Sequence, residues 1–169
     1  LFNQRMTKDG DHAEARAFAN DVMAVLIPIL IIFSGIFLIV MPWVMGLFSS
    51  DELRGNSGHF DLAVLMARIA FPYLALMSIA TLFAAILNSL SRFAAAAAAP
   101  ILLNICLVAA LLTGMIAGDG DEASRSATGL YLAISVSISG LLQLGWLYYW
   151  VRKAGFRPRL GRPRMTQGV

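Results

Sequence analysis

Four polar side chains of this 169-residue chain stand where chemistry on another molecule is possible: Asn88, Arg92, Asn104 and Gln143, each inside or at the end of a long uncharged stretch. An amide or guanidinium among apolar residues must find a hydrogen-bond partner or meet water, so it can recognise or gate a polar cargo. Asn88 and Arg92 close a series, Ser78, Thr81, Ala85, Asn88 and Arg92, whose steps of three, four, three and four place all five on one helical face. In lipid such a stripe is expected to look toward protein or a cavity. For Asn88 and Arg92 a helix cap and a cation anchored at the membrane surface weigh more than a gate. Asn104 lies twelve residues beyond Arg92, about 18 Å deeper along a helix. There an amide needs a partner across a helix interface, the weightier reading, or in a wet cavity. Thr128, Ser135, Ser139 and Gln143, spaced by seven, four and four, share a face of their own. Together the three sets suggest a bundle enclosing something polar, although ordinary membrane interfaces use the same residue types.

Other chemistries lack their residues. His12 and His59 stand in different polar segments with no second ligand at metal-binding spacing, so solvated loop histidines are the default and no metal is expected. Asp119-Gly120-Asp121 begins like a calcium loop, but Ala123, Arg125 and Leu130 occupy positions that would have to ligate, leaving an acidic surface turn. Gly114, Gly118 and Gly120 follow no strand, which removes a dinucleotide site. No nucleophile elbow or phosphate loop occurs, and neither a catalytic residue nor a cofactor is expected. Cys106 falls inside an apolar run and reads as a buried, inert thiol.

The elements that position these residues are membrane helices. Val22 to Ser50, Ile69 to Ser91, Phe93 to Gly118 and Ser126 to Val151 each exceed the about 20 apolar residues that cross a hydrocarbon core about 30 Å thick. Composition agrees, with 59% hydrophobic and 14% charged residues. An ordinary soluble domain is far more charged. The fold class is therefore all-α, a polytopic membrane helix bundle. Pro28 and Pro42 each remove a backbone donor from the first span, tolerable where a neighbour re-satisfies the freed carbonyl. Residues 1–21 form a mixed-charge amino-terminal segment, helical in part, and residues 152–169 a basic linker. Asp51 to Asp61 and Asp119 to Arg125 are polar loops. The chain begins at Leu1 without a leader pattern and reads as an internal piece of a longer protein.

Cations set the orientation. Arg5, Lys8, Arg16, Arg92, Arg152, Lys153, Arg157, Arg159, Arg162 and Arg164 fall on one side, against Arg54, Arg68 and Arg125 on the other, so both ends are expected in the cytoplasm. Trp43 and the group Trp146, Tyr148, Tyr149 and Trp150 suit the two interfaces. The tail from Arg152 to Arg164, broken by Pro158 and Pro163, is expected to lie on anionic membrane lipid and not on nucleic acid.

The run Ile86-Leu87-Asn88-Ser89-Leu90-Ser91-Arg92-Phe93, continuing to Ala99-Pro100-Ile101-Leu102-Leu103-Asn104, resembles the MurJ (MviN) lipid II flippase family. Ala70-Phe71-Pro72-Tyr73-Leu74 and Gly140-Leu141-Leu142-Gln143-Leu144 fit the same pattern in order and spacing. The family usually has another proline and a bulkier residue where Ala96 and Ala98 stand, so the resemblance implies a weaker kink there. It implies helices three to six of a roughly fourteen-helix exporter working by alternating access. The implied cargo is undecaprenyl-diphosphate-linked peptidoglycan precursor, moved from the inner to the outer leaflet of the bacterial cytoplasmic membrane. The family's cavity arginines lie on its first, second and eighth helices, outside this stretch. Implied partners are that lipid, the surrounding membrane and the remaining helices of the parent. A polysaccharide-lipid or drug exporter of the same superfamily is the alternative, and a membrane enzyme or scaffold acting on polyprenyl lipids is the alternative of another class.

Overall fold

The computed structural model describes residues 2–50, 55 and 57–155, with side chains from residue 20 onward. The expectations for Arg54, for the side chains of residues 1–19 and for the tail beyond residue 155 lie outside the described residues. Five helices follow one another: α1 (Phe2–Phe48), α2 (Ser57–Ala70), α3 (Pro72–Ser89), α4 (Phe93–Ala117) and α5 (Glu122–Lys153). Four stretches are long and apolar enough to cross a membrane, Asn20–Phe48, Ser57–Ser89, Phe93–Ala117 and Glu122–Lys153.

Three boundaries differ from the sequence expectation. α1 runs through 47 residues, about 70 Å, so the amino-terminal segment continues the first span as one helix. Good helix formers from Ala13 to Ala17 carry it, and no proline interrupts before Pro28. The second span starts at Ser57 and not near Ile69, which places Asp61 and Arg68 inside a helix expected to be free of charge. Its apolar run begins at Leu62, and one arginine does not end it. The fourth span starts at Glu122 and takes Arg125 into its first turn.

Pro72 divides the second span. Lacking an N–H, it opens α3 at a first-turn position, where no intrahelical donor is required. Phe71 bridges the break, its N–H donating to the Ala67 carbonyl at 2.9 Å and its carbonyl accepting from Leu74 at 3.0 Å. Ser137 of α5 supports this turn by donating its hydroxyl to the Ile69 carbonyl.

α5 is the central post. It packs most extensively on α4, then on α3 and α2, while α1 lies to one side against α2 and α3. Small residues permit the close crossings: a Cβ on Gly114 would collide with Thr128, and one on Gly140 would stand 2.9 Å from Tyr73 Cδ2. Without water to drive apolar association, such backbone approach is how membrane helices gain contact. A buried cluster of Met23, Phe83, Leu87, Leu147 and Val151, with Ala80, Ala95 and Ala99, ties α1, α3, α4 and α5 together at the hairpin end. There Trp146 donates its indole N–H to the Ala95 carbonyl at 3.0 Å.

Both short connections satisfy their own backbone. At the α3–α4 hairpin, Arg92 N–H reaches the Leu87 carbonyl at 2.8 Å and Ser91 N–H the Asn88 carbonyl at 3.0 Å. This is a Schellman closure with Ser91 at φ 57. Before α5, Asp121 accepts the Ser124 N–H at 2.8 Å as an N-cap, and hydrogen bonds from the Ser124 side chain and backbone hold its carboxyl below the usual value. Asp119-Gly120-Asp121 is thus a capping turn. A left-handed serine is strained relative to glycine, so Ser91→Gly is expected to stabilise the fold by about 0.5–1 kcal/mol. A raised unfolding midpoint in detergent checks this; a lowered one contradicts the hairpin geometry.

Candidate transport surface

The three polar series do not enclose a common interior. On α3 the buried residues are Ala80, Phe83 and Leu87. That leaves Thr81, Ala85 and Asn88 exposed on the opposite side, with Ser78 half-buried. Ser78 and Thr81 return their hydroxyl protons to the carbonyls of Leu74 and Met77 at 2.9 and 2.8 Å, which quiets two donors without engaging a neighbouring helix. The stripe therefore looks away from α4 and α5. Asn104 is also exposed, in the middle of α4 beside the outward-facing Ile101 and Ile105. Bonding of Asn104 across an interface within this bundle is not what forms; any partner lies beyond it. The α5 series does the reverse. Ser135, Ser139 and Gln143 are buried, and the two serines bond back to Leu132 and Val136 of their own helix at 2.8 and 2.6 Å.

The four candidate residues accordingly split. Asn88 and Arg92 share the hairpin end, both exposed, and Arg92 borders a cleft of about 280 Å³ with Ala94, Ala95, Trp146 and Trp150. Asn104 stands about 18 Å along α4 from Arg92. Gln143 is wholly buried, and neither amide atom has a hydrogen-bond partner among the described residues. No group of three or more potential metal ligands occurs among the described residues. At the opposite end, His59 Nε2 meets Glu122 Oε1 at 2.6 Å, joining the starts of α2 and α5.

One polar residue inside a span is not marked by the polar spacing. Arg68, a span-flanking cation by sequence, lies within α2 and donates its Nε–H to the Leu38 carbonyl of α1 at 2.8 Å. The apolar run Leu62-Ala63-Val64-Leu65-Met66-Ala67 leading into it is the signal that it sits inside a span.

A lobe with its polar stripe turned outward invites comparison with larger transporters. A family model described as Lipid II flippase MurJ matches residues 1–169. The chain belongs to the MurJ lipid II flippase family. Among relatives in that family, a probable lipid II flippase MurJ of Rhizobium meliloti (strain 1021) is 37% identical over 92% of this chain and 28% of its own length. The Rhizobium tropici counterpart is 36% identical over the same shares. A lipid II flippase MurJ of Burkholderia cenocepacia is 34% identical over 59% of this chain and 19% of its own. The chain thus spans about 28% of the length of the first two MurJ relatives. Within that stretch the MurJ family pattern covers both the outward stripe of α3 and the buried Gln143.

Burying an unpaired amide is unfavourable, by about 1–3 kcal/mol. Gln143→Leu, which keeps the volume and removes both polar atoms, is expected to raise thermal stability by roughly that amount. A fall in stability would show that the amide is satisfied and structural.

Proposed function

We propose that this chain is part of the amino-terminal lobe of a flippase, helices three to six, that carries lipid-linked peptidoglycan precursor from the inner to the outer leaflet of the bacterial cytoplasmic membrane. The match along residues 1–169 carries the reading. The outward polar stripe supports it, because a lobe that rocks against a second lobe around a polar cargo needs such a face. In this account residues 22–151 supply the four spans, residues 1–21 and 152–169 lie in the cytoplasm, and the work is conformational, without bond chemistry. Removing Arg68 from the flanking cations leaves Arg54 and Arg125 on the far side, so the charge bias for cytoplasmic ends grows.

Asn88 and Arg92, at the cytoplasmic end of the stripe, are the gate candidates; Asn104, exposed on α4, is a secondary position, whereas Gln143 is buried inside the bundle and away from that face. A guanidinium offers a planar fork that lysine lacks, so a gate bond made in one access state would tell the two apart.

The test uses the full-length parent in vesicles with lipid II, scoring exposure on the outer leaflet. Vectorial movement is expected, with partial loss for Arg92→Lys and larger loss for Arg92→Ala at equal abundance. No lipid II movement by the parent overturns the function, and normal movement by Arg92→Ala removes Arg92 from the gate. Topology is checked separately in a Cys106→Ala background. Single cysteines at Ser57 and Ser124 should react with an impermeant thiol reagent outside intact cells, and one at Ser91 should not; the reverse pattern contradicts the orientation.

A further inference from the structure

Arg68 sits seven residues past Asp61 and four before Pro72, about 10 Å into the apolar stretch from the last preceding charge. A cation at that depth needs a protein partner or water. The partner it has is the Leu38 carbonyl, 2.8 Å from its Nε. That acceptor is not arbitrary. In an α-helix the carbonyl of residue 38 receives the N–H of residue 42, and residue 42 is proline. Arg68 therefore caps the backbone acceptor that Pro42 leaves without its ladder donor.

Neighbouring contacts reinforce the same joint. The ring of Phe37 stacks on Phe71 with centroids 5.1 Å apart and planes 6° from parallel, and Phe33 approaches Phe71 at 6.3 Å. Phe71 is the residue that bridges α2 and α3, and the carbonyl freed by Pro72 is that of Arg68 itself. The discontinuities of two spans are thus fastened to each other. α1 packs on α2 and α3 and enters the hairpin-end cluster through Met23, so this joint is its attachment at the other, Pro42 end of the span.

We propose that Arg68 is a positioning residue for transport: by capping the carbonyl freed at Pro42 it locks α1 to α2 inside the bilayer, and Pro42 and Arg68 act as one unit. Rigid-body rocking of a lobe requires its helices to move together, and α1 is the member with the fewest other attachments. The transport part rests on the flippase reading; the coupling between Pro42 and Arg68 does not.

The test compares the full-length protein with Arg68→Met, Pro42→Ala and the double variant, reading the thermal midpoint in detergent and lipid II movement in vesicles at equal protein. Methionine keeps the stem and removes every donor. Arg68→Met is expected to lower the folded-to-unfolded ratio roughly tenfold, with the midpoint down by several degrees and transport reduced. The double variant is expected to regain most of both losses, because Pro42→Ala restores a backbone N–H at position 42 that takes the Leu38 carbonyl back into the helix ladder. Additive losses in the double variant overturn the proposal, as does an Arg68→Met protein equal to or more stable than the original. Recovery of the midpoint without recovery of transport overturns the positioning role. If the unaltered protein moves no lipid II, the flippase reading fails instead, and the midpoints alone still decide whether Pro42 and Arg68 are coupled.

Discussion

A bilayer offers the backbone no water, and every carbonyl that a proline deprives of its donor must be satisfied from inside the protein or left at a cost of several kcal/mol. Much of this structure follows from that constraint. Prolines interrupt α1, the junction of α2 and α3, and α4, and interhelical side-chain hydrogen bonds gather near them. Arg68 reaches the carbonyl freed by Pro42, Ser137 reaches the carbonyl of Ile69 in the turn before Pro72, and Trp146 reaches Ala95, one residue from the carbonyl that Pro100 frees. Membrane helices cannot rely on apolar burial to find one another, so these directed bonds and the close crossings at Gly114 and Gly140 fix the packing.

The same rule sorts the side chains. Polar groups on α5 are turned inward, where serines bond to their own helix and small size lets neighbours approach. Polar groups on α3 are turned out of the bundle, where lipid would be a poor solvent for Asn88. A lobe built this way has an apolar flank on α1, with Ile32 and Ile36 exposed, suited to acyl chains, and a polar flank on α3 suited to water or to other helices. Under the proposed flippase reading that asymmetry has a use, since an exporter presents lipid to one side and a cavity to the other.

Much of this was legible in the sequence. Four spans, the hairpin at Arg92 and the family resemblance all follow from apolar runs and from Asn88 through Asn104. The start of the second span was not, because a charge ordinarily ends a membrane run, whereas Arg68 is accommodated by a carbonyl that belongs to another helix. Pro42 announces a freed carbonyl at Leu38, but a sequence does not say which donor will arrive. The direction of the polar series was hidden for a related reason. Periodicity shows that Thr81, Ala85 and Asn88 share a face, as Ser135, Ser139 and Gln143 do, but not which face a neighbour covers. Only packing separates the outward stripe from the inward one.

The outward direction of the α3 stripe is the central structural claim in support of the transport proposal, and solvent accessibility measures it directly. In the full-length protein with Cys106→Ala, single cysteines at Thr81, Ala85 and Asn88 should react with a small water-soluble thiol reagent, while cysteines at Ile32 and Ile36 of α1 stay unmodified. A stripe as unreactive as the α1 flank would mean that it faces lipid or packed protein and lines no aqueous path.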